Sequence, residues 1–292
     1  MKTPKKAFML LLSAILIVGL TACGGQQASP PAGNAGNNQP PAIENPDIRL
    51  STTTSVNDSG LLSYLQPEFQ KDTGYNLEVT SAGSGAAIEK GRTGDADCLL
   101  VHSPSMENEF VGEGFDEQRV TFMYNFYVIV GPESDPAGIK DCTDASEAFA
   151  KIAETGGAEF VSRGDNSGTH SAENNLWKLA DIEPTGQDWY ISTGSGMGAS
   201  LNIASETGAY ILTDKATYLA HDLRDTMSIL LEKSDQMKNT YSMIAISEGR
   251  FDDTNAAGAE AFITWMTSEK ALKMIDEFGV DKYGEQLFFT GN

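Results

Sequence analysis

The chain has 292 residues and a formal net charge of −21, from 20 basic and 41 acidic side chains. This excess of negative charge argues against nucleic acid and against an anionic membrane surface as partners, because both would repel the protein. The length is sufficient for a substantial hydrophobic core, in one large domain or two modest ones.

Residues 1–22 have the layout of a secretory signal. Three lysines precede an apolar run over residues 7–20, which is short for a membrane span. The run ends in Leu20-Thr21-Ala22-Cys23, a sequence that resembles a bacterial lipobox. The resemblance implies cleavage before Cys23 and lipid attachment to that residue. An ordinary signal peptide with an incidental cysteine is the alternative.

Residues 23–46 are rich in Gly, Asn, Gln, Ala and Pro, and Glu44 is their only charge. They lack apolar periodicity, which predicts a flexible tether. Removal of the signal with its three lysines would change the net charge to about −24. Cys98 in an apolar strand and Cys142 in a polar loop are the remaining cysteines. An extracytoplasmic protein permits a disulfide between them, but their different settings favour two separate thiols.

Strands and helices alternate along the rest of the chain. The sequence predicts strands at 48–52, 77–80, 98–101, 160–162, 229–231 and 241–246. It predicts helices at 61–69, 86–92, 144–153, 171–179, 197–204, 214–220, 256–266 and 268–278. The apolar segment at 120–130 is either two strands or one crossing strand. Pro67 predicts a kink or a short second half in its helix. The alternation favours an α/β fold with mostly parallel sheets.

Four polar loops follow strands of this pattern: 52–55, 81–86, 162–170 and 193–199. Ligands of α/β folds bind at the carboxyl ends of strands, where loops lead into helices. One loop rich in Ser, Thr and Gly is usually only a helix cap. Four of them in one chain favour a binding site.

The loop from Ser162 to His170 is the most informative of the four. It contains Arg163, three hydroxyl residues and two glycines directly before a helix. Glycines allow backbone N–H groups to converge, and a helix N-terminus offers further N–H groups with a positive dipole end. Hydroxyls donate hydrogen bonds, and an Arg can bind two oxygens at once. The loop therefore predicts a site for a small oxyanion, which a strongly negative protein must bind through local dipoles and one or two arginines.

Other features invite sharper hypotheses that the sequence does not favour. The tripeptide Arg163-Gly164-Asp165 matches an integrin motif, which we interpret as incidental. Ser167 and His170 could suggest a nucleophile and a base, but no third partner is evident. The three histidines have no metal-ligand spacing. We expect His102 and His221 to be structural or surface groups.

Several motifs together resemble the tungstate-binding proteins of bacterial ABC importers (TupA type). The resemblance covers residues 48–265 and is carried by Leu50–Leu62, Gly91–Asp97, Leu100–Pro104, Val128–Pro132, Asp135–Ile139, Ser162–His170, Gly196–Ala199 and Gly208–Asp214. Phosphate-binding proteins of the same superfamily carry a similar Arg-x-x-x-Ser-Gly-Thr core, so the combination is more specific than that core alone.

The resemblance implies a type II periplasmic-binding-protein fold, with two α/β lobes joined by two crossing strands and the ligand in the cleft. Residues 120–130 would form the outgoing strand and residues 241–246 the return. Lobe one would consist of residues 47–127 plus 241–292, and lobe two of residues 128–240.

The resemblance also implies the ligand contacts. On this sequence they fall on residues from the first three polar loops: Thr53, Thr54, Ser55, Ser84, Gly85, Arg163, Ser167, Gly168 and Thr169. The first five belong to lobe one and the other four to lobe two, so the anion itself would favour closure. No catalytic residue, metal ligand or cofactor is expected.

The function implied is that of a monomeric, extracytoplasmic solute-binding lipoprotein, anchored to the membrane by lipid on Cys23 and without enzyme activity. It would capture tungstate or molybdate and deliver it to a membrane permease driven by cytoplasmic ATPase subunits. Phosphate and sulfate are alternative ligands. An exported phosphatase-like hydrolase and a sensory or adhesive surface lipoprotein are alternatives of other classes.

Overall fold

The structure of the protein is a computed structural model that describes residues 43–115, 119–232 and 234–291. The predicted signal, the lipid site at Cys23 and most of the predicted tether lie outside these ranges. Within them, no helix is both long and apolar enough to cross a membrane.

The observed elements follow the predicted alternation. In the described ranges the strands are β1 (Asp47–Thr53), β2 (Asn76–Ala82), β3 (Cys98–Val101), β4 (Val120–Gly131), β5 (Phe160–Ser162), β6 (Tyr190–Ser192), β7 (Tyr210–Asp214), β8 (Ser228–Leu231), β9 (Lys238–Ala245) and β10 (Phe289–Thr290). The helices are α1 (Thr54–Asp58), α2 (Leu61–Thr73), α3 (Ser84–Thr93), α4 (Pro104–Gly112), α5 (Ala145–Glu154), α6 (Gly168–Leu179), α7 (Met197–Thr207), α8 (Lys215–Ala220), α9 (Ala256–Met266), α10 (Glu269–Glu277) and α11 (Val280–Tyr283).

The strands form a sheet in the order β2-β1-β3-β9-β4-β7-β5-β6, with β8 and β10 also paired to β4. Four pairings of the described strands are parallel, and they join β1 to β2 and β3, and β5 to β6 and β7. The other five involve β4 or β9 and are antiparallel. The prediction of mostly parallel sheets is therefore wrong, because β4 and β9 run through the middle of the sheet against their neighbours.

Strand β4 connects two sections of the sheet. Its residues 120–126 pair with β9, and its residues 127–131 pair with β7 and β8. The apolar segment predicted as two strands or one crossing strand is thus a single strand, with a register shift near Thr121. We call β1, β2, β3 and β9 the first section, and β5, β6, β7 and β8 the second section.

Of the two effects predicted for Pro67, a kink or a short second half of its helix, the second does not occur. Helix α2 runs without a break through this residue, although proline removes one N–H from the helical ladder. Four apolar residues on one face of α2 are buried in the core: Leu61, Leu62, Leu65 and Phe69. Burial of side chains of this size contributes roughly 1.5–3 kcal/mol each, which outweighs one lost hydrogen bond.

Two differences from the predicted elements affect the polar loops. Helix α6 begins at Gly168, three residues before the predicted start, and Ser167 caps it by accepting a hydrogen bond from the N–H of His170 at 3.2 Å. Residues 54–58 form the short helix α1, which Thr53 caps. The sequence predicts no helix there, only the end of the first polar loop and the residues that follow it. The sequence analysis also missed α4, β6 and β7.

The two cysteines in the described ranges lie apart. Cys98 packs in the largest hydrophobic cluster and Cys142 in a second one beneath β5 and α5. No disulfide joins them, in agreement with the favoured prediction.

Glu173 of α6 is a buried carboxyl beneath the 162–170 loop. Its oxygens accept hydrogen bonds from the Ser162 hydroxyl at 2.8 Å, the Trp177 indole at 3.1 Å and the Tyr190 hydroxyl at 2.7 Å. Burial nevertheless raises the pKa of Glu173 from 4.5 to about 7, because desolvation disfavours the charged form. The carboxyl ties the start of the loop to α6 and β6.

Gly131, at the end of β4, has no room for a side chain. A β-carbon there would lie 2.7 Å from Cδ1 of Tyr210 and 2.9 Å from Cδ1 of Leu230. The Tyr210 ring is held in place, because its hydroxyl donates to Asp135 and accepts from the N–H of Ala137. We expect Gly131→Ala to lower the free energy of unfolding by about 1–3 kcal/mol, measured by urea denaturation. Gly112→Ala is the control, because its β-carbon would meet nothing within 4 Å; equal losses in both variants would contradict this packing.

Glu173 also gives the protein a specific pH dependence. Because the pKa of Glu173 is higher in the folded chain than its ordinary 4.5, its contribution to stability is fully present below pH 4.5 and is lost as the pH rises through 7. Glu173→Gln removes this titration. The difference in unfolding free energy between wild type and variant should therefore change by roughly 3 kcal/mol between pH 4.5 and 8. A difference that is constant with pH would contradict the assigned pKa.

Candidate oxyanion-binding site

The four polar loops meet in the folded protein. The N–H of Thr193 donates to the carbonyl of Ser162 at 3.0 Å, which joins the fourth loop to the third. A β-carbon on Gly196 would lie 3.4 Å from Cγ2 of Thr54, so the fourth loop also faces the first. Residues distant in the sequence thus surround one small region.

The predicted site residues take the following places. They lie at the end of β1 (Thr53), in the first turn of α1 (Thr54, Ser55), in the first turn of α3 (Ser84, Gly85), directly after β5 (Arg163), at the cap of α6 (Ser167) and in the first turn of α6 (Gly168, Thr169).

Arg163 crosses from the second section of the sheet to the first. Its side chain is 1% exposed. Nη1 donates to the Ser55 hydroxyl at 3.3 Å, and Nη2 donates to the Thr54 hydroxyl at 3.0 Å. Nη2 also donates to a carboxylate oxygen of Asp165 at 2.6 Å, and the other oxygen of Asp165 accepts from the N–H of Ser167 at 3.1 Å. Asp165 therefore both anchors Arg163 and shapes the loop before α6.

A second crossing involves the backbone. The N–H of Gly168 donates to the Ser84 hydroxyl at 2.8 Å. A β-carbon on Gly168 would lie 2.9 Å from the ring and carbonyl of His102, so only glycine permits this approach. Gly85 lies opposite Asn166, whose carbonyl would be 3.9 Å from a β-carbon at that position.

Two buried donors at this place have no hydrogen-bond partner. Among the described residues, five buried side-chain polar atoms lack one, and they include Nε of Arg163 and Oγ1 of Thr169. The Tyr127 hydroxyl lies close to the Thr169 hydroxyl, but the two do not form a hydrogen bond of normal geometry. An unsatisfied buried polar group costs about 1–3 kcal/mol, and in native proteins such groups call for a partner.

Several hydroxyls near these atoms also have a hydrogen that no contact uses. Four hydroxyl oxygens accept a hydrogen bond and, in the contacts of the described residues, donate none: those of Thr54, Ser55, Ser84 and Ser167. Each keeps its own hydrogen for a further acceptor. Together with the two unpartnered atoms they are six potential donors on loops that contact one another, a composition that suits an anion with several oxygens.

The carboxylates near Arg163 are already engaged. Both oxygens of Asp165 are used, as described above, and the buried carboxyl of Asp214 accepts from the N–H and the hydroxyl of Thr217 at 2.9 and 2.6 Å. Burial raises the pKa of Asp214. The candidate site thus has six potential donors, while the nearest carboxylates already accept hydrogen bonds, which suits a fully ionised oxyanion.

Sequence reasoning missed a buried polar group behind the first loop. His102, Asn125, Tyr127 and Asn239 are each at most 3% exposed and are linked by hydrogen bonds. Asn125 and Tyr127 are two positions apart on β4, and so share one face of the strand. A polar residue within an apolar strand is the signal that could have found them. A cavity of about 300 Å³ adjoins this group.

The remaining histidines do not form a catalytic pair with Ser167. Nδ1 of His170 accepts from the N–H of Asn166 at 3.0 Å, and the Ser167 hydroxyl accepts from the backbone of His170 rather than donating to its ring. His170 thus holds the loop at Asn166, whose φ of 56° is in the left-handed region. His221 is half-buried, and its ring hydrogen-bonds the carbonyl of Thr217. In the described part of the chain, no three His, Cys, Asp or Glu side chains gather as metal ligands.

Comparison with known proteins agrees with this geometry. A domain of the PBP superfamily matches residues 35–270. The chain is 41% identical to the tungstate-binding protein TupA of Peptoclostridium acidaminophilum, over 97% of this chain and 98% of that protein. The structure of TupA from Desulfovibrio alaskensis has 40% identity and a TM-score of 0.70, covering 84% of this chain and 99% of that one. The tungstate ABC transporter structure from Geobacter sulfurreducens has 41% identity and a TM-score of 0.74, covering 80% and 98%.

These relatives match nearly their whole length, and their structures share the α/β architecture described above, which is the type II periplasmic-binding-protein fold. The chain therefore belongs to the periplasmic-binding-protein superfamily and, within it, to the TupA-type family of tungstate-binding proteins.

Proposed function

We propose that this protein is the extracytoplasmic solute-binding component of an ABC importer, and that it captures tungstate and delivers it to a membrane permease. Two relatives, which match 97% and 77% of this chain, are named as tungstate-binding proteins. The observation that carries the proposal is the pair of buried, unpartnered donors on Arg163 and Thr169. An oxyanion would satisfy both.

Local donors rather than overall charge would hold the anion. The protein has a net charge of −21, so its long-range field repels a dianion, although salt screens that field beyond about 8 Å. Within the site, charge-assisted hydrogen bonds contribute about 1.5–3 kcal/mol each. Of the nine ligand residues that the sequence predicts, eight are proposed here: Thr54, Ser55, Ser84, Gly85, Arg163, Ser167, Gly168 and Thr169. The ninth, Thr53, has its hydroxyl 3.0 Å from Nε2 of His102 instead.

The donor set also ranks the possible ligands. Phosphate carries one or two protons at neutral pH and would require an acceptor as well as donors, while both carboxylates near Arg163 already accept hydrogen bonds from the protein. Tungstate, molybdate and sulfate are fully ionised and need donors only. Tungstate and molybdate have nearly the same size and charge, so the preference for tungstate rests on the relatives.

The remaining parts of the proposal concern assembly. Cleavage before Cys23 and its lipidation would anchor a monomeric protein to the extracytoplasmic face of the membrane, next to a permease with cytoplasmic ATPase subunits. The proposed lobes are residues 47–127 plus 241–292 and residues 128–240. Bonds from Arg163 to Thr54 and Ser55 support closure of one lobe on the other around the anion. The proposed role involves no catalytic turnover, and the lack of a Ser167–His170 pair supports this.

Calorimetric titration of the tether-free protein with tungstate, molybdate, sulfate and phosphate tests the proposal. We expect tungstate to bind with a Kd below 1 μM, equivalent to about 8 kcal/mol, and phosphate to bind most weakly. Absence of tungstate binding at this level would contradict the proposed function. Hydrolysis of a phosphate ester by the same preparation would favour the exported hydrolase instead.

Two variants test the proposed ligand residues. Thr169→Val removes one buried donor without changing shape, and Arg163→Lys keeps the charge but removes the planar fork. Each should raise the Kd for tungstate about 10-fold to 150-fold, the equivalent of one charge-assisted hydrogen bond.

The matched controls are Thr267→Val and Arg224→Lys, which change exposed residues of the same types. Both controls should bind tungstate as the wild type does. If Thr169→Val and Arg163→Lys also kept wild-type affinity, the site assignment would be wrong.

A further inference from the structure

His102 lies directly behind the first polar loop and is fixed on several sides. Nε2 is 3.0 Å from the Thr53 hydroxyl, and Nδ1 is 3.0 Å from Oδ1 of Asn239. The ring also lies against the Tyr241 ring, with centroids 5.0 Å apart. His102 therefore touches Thr53, which the sequence predicts to be an anion ligand.

The hydrogen bonds of Asn239 decide which nitrogen of His102 carries hydrogen. Nδ2 of Asn239 donates to Oδ1 of Asn125 at 2.9 Å and to the Tyr241 hydroxyl at 2.8 Å. These two bonds use both hydrogens of the amide, and its oxygen can only accept. With the amide of Asn239 in this orientation, the ring nitrogen that faces its oxygen, Nδ1, is the donor, and the Tyr127 hydroxyl, 3.2 Å from the same nitrogen, can accept from it as well.

The other ring nitrogen is consequently an acceptor. Burial, followed by the nearby charge of Arg163, lowers the pKa of His102 from 6.5 to about 4, so the ring is neutral near pH 7 and carries a single hydrogen. Nε2 has none and must accept from the Thr53 hydroxyl. The Thr53 oxygen also accepts from the N–H of Val56 at 3.3 Å. Its hydrogen is therefore committed, unlike those of Thr54 and Ser55.

We infer that His102 is a positioning residue. Its unprotonated Nε2 accepts a hydrogen bond from the Thr53 hydroxyl, so Thr53 acts as the cap of α1 and is not a ligand of the anion. Through this cap His102 fixes the first turn of α1. That turn presents Thr54 and Ser55 to Arg163. The predicted effect on anion affinity rests on the proposed function, whereas the hydrogen position on His102 does not.

Nuclear magnetic resonance tests the hydrogen position directly. Two-bond ¹H–¹⁵N correlation spectra of the histidine-labelled protein at pH 7 distinguish a protonated ring nitrogen from a bare one. The chain has three histidines, and His102→Gln identifies the His102 signals by their loss. We expect hydrogen on Nδ1 and none on Nε2. Hydrogen on Nε2 would overturn the inference, whether or not the protein binds tungstate.

Affinity measurements test the role of Thr53. Calorimetry with tungstate should show that Thr53→Val weakens binding by no more than about fivefold, well below the loss in Thr169→Val, and that Thr53→Ser restores wild-type affinity. A loss in Thr53→Val equal to that in Thr169→Val would overturn the inference, since Thr53 would then be a direct ligand.

A double-mutant cycle tests whether His102 acts through Thr53. If it does, the variant with both Thr53→Val and His102→Gln should bind tungstate no more weakly than the weaker of the two single variants. Additive losses would overturn the inference. Thermal melting reports whether the His102 variant is folded. If that variant is unfolded, the affinities of the Thr53 variants alone test the inference. Failure of the wild type to bind tungstate would refute the proposed function and leave the spectroscopic test in force.

Discussion

The buried guanidinium of Arg163 is the group around which the site is built. A buried charge is costly unless it is paired and hydrogen-bonded. Arg163 finds its partners in both sections of the sheet, at Asp165 within its own loop and at the hydroxyls of α1 opposite. Gly164 makes the tight turn beside it possible, because its φ of 60° is left-handed and a β-carbon there would lie 1.9 Å from the Ser192 hydroxyl.

Hydroxyl groups that accept hydrogen bonds from Arg163 add their own hydrogens to the donors around it. A hydroxyl that accepts from Arg163 retains a hydrogen and can pass the polarisation on to an oxyanion. Thr54 and Ser55 of α1 accept from Arg163 in this way, whereas Ser84 accepts from the N–H of Gly168. A strongly acidic protein can thus bind an anion, since the donors are close and fixed while the repelling charges are distant and screened.

Much of the fold and the composition of the site follow from the sequence, but the orientation of the site residues does not. The strands Cys98–Val101 and Phe160–Ser162 and the helix Ala256–Met266 match their predicted bounds, because short apolar runs and clear periodicity define them. The antiparallel course of β4 and β9 was not predictable from local pattern, as direction depends on pairing far along the chain.

The same distinction holds for individual side chains. Arg163 and the hydroxyl loops could be predicted, since their residue types carry the chemistry of anion binding. The direction of the Thr53 hydroxyl could not, because it depends on His102, Asn239 and Asn125, which come from three other elements. Helix α2 passes through Pro67 for a similar reason: packing against distant residues outweighs the local preference.

A crystal structure with bound tungstate is the most direct test of the central claim. The anomalous scattering of tungsten locates the metal without ambiguity. We expect one tungsten position between α1 and the start of α6, with tungstate oxygens within hydrogen-bond distance of Nε of Arg163 and Oγ1 of Thr169. Tungsten bound elsewhere, or at this place with both of those atoms still unpartnered, would contradict the claim.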